Sequence, residues 1–228
     1  MLGAGVWSLN ARSNRLPSRI AVVPAARWAP TDAVTAAVND ASQACVLPGV
    51  LLRRLGLQGA AAAFVDASGL PFATMFGDKS VLGEDHPSYI GMYSGRLMEE
   101  PVRAFVESCD VVVMIGAMLT DGNTAGFTAR LDPDKMINIG HHRTTVGATV
   151  YRNVEIADIL TQLSGRITNR PQRPAVAPGT LGPVTGGGDD PITADTLYPR
   201  WANFFRPNDV IMTDTGNVLA RFGIRPAA

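Results

Sequence analysis

The sequence predicts an α/β fold, a parallel doubly wound sheet, on three observations. Residues 110–115, Asp-Val-Val-Val-Met-Ile, are an almost wholly apolar run rich in β-branched residues and closed by Gly116. A run without polar alternation fits a strand buried on both faces, as in a parallel sheet covered by helices. Two shorter strand-like runs, 45–47 and 136–139, end in Pro48-Gly49 and in Gly140. The segments between such runs carry apolar residues at helical spacing, and strands alternating with helices define this class.

The elements follow in order. Residues 1–30 contain no acid, while Arg12, Arg15, Arg19 and Arg27 are basic. That composition imitates a mitochondrial transit peptide, and the segment is read as a leader or the remnant of an upstream domain. Residues 31–44 have helical spacing, with Thr31 or Asp32 as the N-cap, since a short side-chain oxygen satisfies free backbone donors. A strand at 45–47, a small-residue helix at 56–67 closed by Gly69, and a strand at 72–75 come next. Residues 91–95 read as a turn-rich connection and 99–108 as a helix leading into the central strand. A strand at 149–151 and a helix at 154–163 complete a domain spanning 31–168.

The composition then changes. Residues 169–191 are rich in Pro and Gly and include Gly186-Gly187-Gly188, which predicts an exposed linker. Beyond it, 193–205 resembles a helix with Leu197, Trp201 and Phe205 on one stripe, and 210–213 a strand running into Asp214-Thr215-Gly216-Asn217. One helix and one strand cannot bury both faces of a sheet, so 192–228 is read as an incomplete second α/β unit.

Charge and composition exclude several partners. Lys+Arg and Asp+Glu balance at 20 each, which gives no footprint for nucleic acid or an anionic membrane. No apolar run is long enough to span a bilayer. The two cysteines, Cys45 and Cys109, each adjoin an apolar run and read as buried thiols in a reducing compartment, which implies a cytoplasmic protein.

The stretch FATMFGDKSVLGEDHPSYIGMYSG within 70–95 then carries a resemblance. Its Lys79-Ser80, Glu84, His86-Pro87, Tyr89-Ile90-Gly91 and Gly95 are similar, in order, to the middle domain of the thiamine-diphosphate-dependent 2-oxo acid decarboxylases of the pyruvate and indolepyruvate type. Residues 45–53, 101–121 and 137–147 continue the likeness, which covers 31–165, and 16–24 faintly resemble the segment leading out of the family's first domain. Residues 191–217 resemble the entry into the family's diphosphate-binding domain, where Gly216 and Asn217 would occupy the turn against the cofactor. The resemblance implies thiamine diphosphate and Mg²⁺ as cofactors, and decarboxylation of a 2-oxo acid to an aldehyde. It also implies a homo-oligomeric parent enzyme, with no nucleic-acid or membrane partner.

Two family features are not found in these 228 residues: the pyrimidine-binding domain with its glutamate, and the Gly-Asp-Gly…Asn motif that binds Mg²⁺ and diphosphate. The expectation is therefore a fragment that is inactive, and does not bind the cofactor, on its own. The alternatives are a non-catalytic binding or scaffold module, and a nucleotide-binding α/β domain, because the family's middle domain resembles an FAD- or NAD-binding fold. Gly116-Ala117-Met118 would serve the last reading, but no Gly-x-Gly-x-x-Gly follows a strand.

The remaining candidates read as structural. The family's catalytic histidine pair belongs to its first domain, whereas His141-His142 here follow a middle-domain strand. A zinc site in a chain of three histidines would need carboxylates that spacing does not identify, so no metal ligand is assigned. Arg143 with Thr144-Thr145, the Lys79-Ser80 turn, and Cys109-Asp110 are read as loop, turn and element-end residues, and no catalytic residue is assigned.

Overall fold

The computed structural model describes residues 21–24, 29–98, 100–168, 176–206 and 209–212, the first segment by its backbone. Its strands are β1 (Ala21–Pro24), β2 (Ala44–Pro48), β3 (Phe72–Thr74), β4 (Tyr89–Met92), β5 (Val111–Ile115), β6 (Met136–Gly140), β7 (Arg143–Val146) and β8 (Thr149–Arg152). Its helices are α1 (Ala29–Asp40), α2 (Val50–Arg54), α3 (Gln58–Ser68), α4 (Glu100–Ser108), α5 (Ile156–Leu163) and α6 (Ala194–Phe204). No helix among the described residues is long and apolar enough to cross a membrane.

All eight strands join one sheet in the order β1-β8-β7-β6-β5-β2-β3-β4. From β2 the chain moves outward through β3 and β4. It returns through α4 to set β5 on the other side of β2, then moves outward through β6, β7 and β8. This is the predicted doubly wound α/β sheet. Every neighbouring pair is parallel except the two made by β7, which runs against β6 and β8.

Alternation along the strands builds two cores. Ala44, Val46, Val111, Val113, Ile115, Ile137 and Ile139 face α1, α3 and α5, whose Val34, Val38, Phe64, Val65, Ile159 and Leu160 lie in the same cluster. Cys45, Leu47, Val112 and Met114 face the other way, onto Val102, Phe105 and Val106 of α4. The apolar runs are unbroken because both sets of side chains leave water. Each fully buried aliphatic side chain such as Val113 or Ile115 contributes about 1.5–3 kcal/mol.

The sheet divides between β2 and β5, and there the main chains meet. The Gly49 amide donates to the Ile115 carbonyl at 2.9 Å, and the Leu51 amide to the Gly116 carbonyl at 3.2 Å. A Cβ on Gly49 would lie 2.0 Å from the Ala117 Cα, so no side chain fits. Asp78, from the turn after β3 and 1% exposed, completes the junction. Its carboxylate accepts from the Val50 amide at 2.6 Å and from the Asn123 side-chain amide at 2.8 Å. Asn123 also donates to the Met118 carbonyl at 2.8 Å and accepts from the Gly77 amide at 2.7 Å. Ser94, buried nearby, donates to the Asn123 carbonyl at 3.1 Å. The ends of β2, β3 and β5 are thus tied by one buried polar network, satisfied at each of these groups.

Several elements differ from the expectation. Residues 21–24, within the presumed leader, form β1 and pair with β8 at the sheet edge. Helix α1 starts two residues before the expected cap, and Thr31 instead donates across to the Gln162 side chain at 2.6 Å. Gly91 lies inside β4, not in a turn; a Cβ there would meet the Val102 side chain at 2.9 Å, so the glycine admits α4. Residues 143–146, read as loop, form β7, and the short helix α2 was not anticipated. Residues 209–212 form no strand, while Thr213 lies outside the described residues. In α6 the buried positions are Tyr198 and Pro199, not the expected stripe; Trp201 is 45% exposed, and Leu197 and Phe205 are half-buried.

Two outcomes follow from the junction. Gly49→Ala should lower stability by at least about 2 kcal/mol, seen as a lower denaturant midpoint at unchanged slope, because its new methyl meets main chain that cannot step aside. Asp78→Ala should cost about 2–4 kcal/mol by leaving two buried donors unpaired. Burial raises the Asp78 carboxyl above its ordinary 3.8, outweighing the hydrogen bonds from Val50 and Asn123. The folded state then keeps a proton that the unfolded chain releases. Between the ordinary value and the raised one, this group makes stability fall as pH rises, and above that window its contribution is constant. Comparing acid-range stability of the parent chain with Asp78→Asn should show that falling component in the parent alone.

Candidate functional site

Loops at the carboxyl ends of parallel strands, next to the point where strand order reverses, are where this fold class places ligands. Here that position is filled by the protein's own groups. The first amides of α2 would ordinarily attract an anion. Val50 instead donates to the Asp78 carboxylate and Leu51 to the Gly116 carbonyl. Gly116 and Ala117, the residues a nucleotide reading needs, are the ones against which Gly49 is seated. Of the three residues that the nucleotide-binding alternative names, Gly116 and Ala117 are thus covered by main chain, while Met118 is exposed. Past Ala117 the edge opens, with Met118, Leu119 and Phe127 at 42%, 40% and 59% exposure on the connection from β5 to β6.

Further along the same edge, β6 and β7 are joined by a two-residue turn made of His141 and His142, with Gly140 opposite Arg143. His142 has φ +58°, a left-handed conformation that His, Asn and Asp adopt more readily than most side chains. The His142 carbonyl accepts from the Asn153 amide at 2.8 Å, which fastens the turn to the chain leaving β8. That chain leads to Glu155, the residue before α5, whose side chain makes no capping bond to its own helix. Its carboxylate reaches the turn instead. One oxygen lies 3.3 Å from His141 Nδ1 and the other contacts His142 Nδ1, while the two rings lie tilted by 39° with centroids 3.6 Å apart. The carboxylate that spacing did not identify is thus supplied by the fold, 13 residues after His142.

The other candidates lie in turns, strands and element ends. Cys45 and Cys109 are free and fully buried. A hydrogen bond with Cys109, reinforced by burial, pushes the Cys45 thiol well above its ordinary value, which suppresses the reactive thiolate. The Asp110 carboxylate accepts from the amides of Ser42 and Gln43, both at 3.1 Å, and so closes the turn into β2. Glu84 pairs with Lys79 and accepts from the Ser80 amide at 3.2 Å, holding a turn in which Ser80 has φ +61°. His86 bonds Asp66 at 2.9 Å, and Tyr89 meets Thr74 at 3.2 Å. Arg143 is exposed, and Thr144 is buried inside β7 rather than offered on a loop.

Gly216 and Asn217 lie outside the described residues. Among the described residues, the cluster able to hold a metal is the imidazole-rich His141, His142 and Glu155, whereas Mg²⁺ takes oxygen ligands. The described residues do not fit a Mg²⁺–diphosphate site.

Comparison with known proteins agrees with this domain. The family profile described as "Thiamine pyrophosphate enzyme, central domain" matches residues 31–163, more than half of the 228; thiamine pyrophosphate is the same compound as thiamine diphosphate. Similar curated proteins include the alpha-keto-acid decarboxylase of Mycobacterium ulcerans, 31% identical over 177 residues, covering 76% of this chain and 31% of that protein. Those of Mycobacterium tuberculosis (strain H37Rv) and Mycobacterium leprae are 31% and 30% identical, covering 76% and 81% of this chain and 32% and 33% of their own. The chain thus spans about a third of the length of these relatives. It belongs to the thiamine pyrophosphate enzyme family, with residues 31–163 as its central domain.

Proposed function

We propose that these 228 residues are a piece of a thiamine-diphosphate- and Mg²⁺-dependent, non-oxidative 2-oxo acid decarboxylase, acting on pyruvate, indolepyruvate or a similar acid to give an aldehyde. The observation that carries this reading is the family match over 31–163, together with the relatives' shared name, alpha-keto-acid decarboxylase. In this reading the central domain supplies position, not reacting groups. Its strand ends are locked by buried hydrogen bonds, and its cysteines are buried thiols, as suits the cytoplasm.

The segment beyond the linker fits the opening of the diphosphate-binding domain. Ile192, Phe204, Val210 and Met212 are 78–91% exposed, and a following domain of a homo-oligomeric enzyme would cover them. Gly216 and Asn217 are proposed to meet the diphosphate within that domain.

By themselves these residues are proposed to bind the cofactor weakly and to be inactive. Two hydrogen bonds from Gly216 and Asn217, each worth about 0.5–1.5 kcal/mol net, fall short of the roughly 8 kcal/mol of a micromolar complex. Calorimetric titration of the 228-residue chain with thiamine diphosphate and Mg²⁺ should show no micromolar binding, and no aldehyde should form from pyruvate or indolepyruvate. Micromolar affinity or turnover would mean that these residues hold a cofactor site of their own.

A further inference from the structure

We propose that His141, His142 and Glu155 form a binding site for one divalent transition-metal ion of the zinc class. The proposal does not rest on the decarboxylase reading; its ground is the geometry of one turn. Three side chains, each offering one ligand atom, place those atoms within 4.8 Å of one another. Two imidazoles and one carboxylate are a ligand set suited to Zn²⁺ and its neighbours, and ill suited to Mg²⁺ or Ca²⁺.

The spacing fits at one of the two histidines; at the other, His142 Nδ1 touches the carboxylate directly, and a bound ion would have to part that pair. Zinc bonds of about 2.0–2.2 Å in a tetrahedron hold ligand atoms about 3.3 Å apart, and His141 Nδ1 lies 3.3 Å from Glu155 Oε2. Both histidines turn the same nitrogen, Nδ1, towards the same carboxylate. The two rings lie close together beside that one acid, with centroids 3.6 Å apart and planes tilted by 39°.

The scaffold is rigid where a metal site requires rigidity. The turn is held by the β6–β7 ladder on one side and by the Asn153 amide on the other. Glu155 starts α5, whose buried Ile156, Ile159, Leu160 and Leu163 fix the helix on the sheet. Its negative charge also offsets the positive end of that helix, which would otherwise repel a cation. The three side chains are 40–65% exposed, so an ion has access and a fourth position is left for water.

The test uses the untagged 228-residue chain, stripped of metal with a chelator. Titration with Zn²⁺ should give one saturable site per chain in the micromolar range. Co²⁺ should develop the visible absorption of a low-symmetry nitrogen and oxygen site, and Mg²⁺ should give no signal. His141→Ala, His142→Asn and Glu155→Gln should each weaken Zn²⁺ binding at least about tenfold. Asn is chosen at 142 because it tolerates the left-handed backbone, and thermal melts should confirm that each variant folds. His86→Ala, which removes the remaining histidine of the chain, should leave binding unchanged. Absence of a saturable Zn²⁺ site, or equal loss in His86→Ala and the three site variants, would overturn the proposal.

Discussion

At the ends of the two strands from which the sheet is wound, the Gly49 backbone rests against Gly116 and Ala117, and that contact sets how the two halves of the sheet meet. β2 and β5 are the strands from which the two halves of the sheet are wound, so the geometry where their ends meet sets the relation of the halves. The contact is possible because position 49 carries no Cβ. It is directional because two amide donations, from Gly49 and Leu51, extend the β2–β5 pairing past the strand ends. Asp78 and Asn123 then bind β3 and the β5–β6 connection to the same point. The cost is one carboxylate removed from water, seen in its raised pKa. It is offset by hydrogen bonds that leave no polar atom of Asp78 or Asn123 unpaired.

Closing this junction has a functional meaning. In ligand-binding members of the fold class the same place is a crevice with free amides pointing into it. Here two of the first amides of α2 are engaged, by the Asp78 carboxylate and the Gly116 carbonyl. The central domain is a doubly wound sheet whose strand ends at this point are fastened by buried hydrogen bonds. His141, His142 and Glu155, the cluster among the described residues that could hold a metal, lie further along the edge, in the β6–β7 turn and at the start of α5.

The fold was legible wherever burial dictates residue type. Residues 110–115 and 45–47 announced themselves because strands covered on both faces are built mainly of apolar residues. β7 was hidden because Arg-Thr-Thr-Val is polar and mostly half-exposed, and α2 because five residues carry no periodicity. Gly91 imitated a turn signal, although its role is to let α4 approach the sheet. The site was less legible than the fold. Asp78 and Asn123 are 45 residues apart, and Glu155 stands 13 residues from His142, distances at which no local pattern links them. What the sequence did show was the His-His pair itself and its place after a parallel strand. The expected stripe on α6 assumed a partner surface, and the helix instead buries Tyr198 and Pro199.

Native-state hydrogen exchange resolved by residue tests the central claim most directly. If the junction fastens the sheet, the amides of Gly49, Val50 and Gly77 should exchange as slowly as those of Val113 and Ile115 in the central strand, opening only with global unfolding. Exchange at Val50 and Gly77 orders of magnitude faster than in β5 would contradict it. That result would show that the strand ends open freely and that the crevice is available after all.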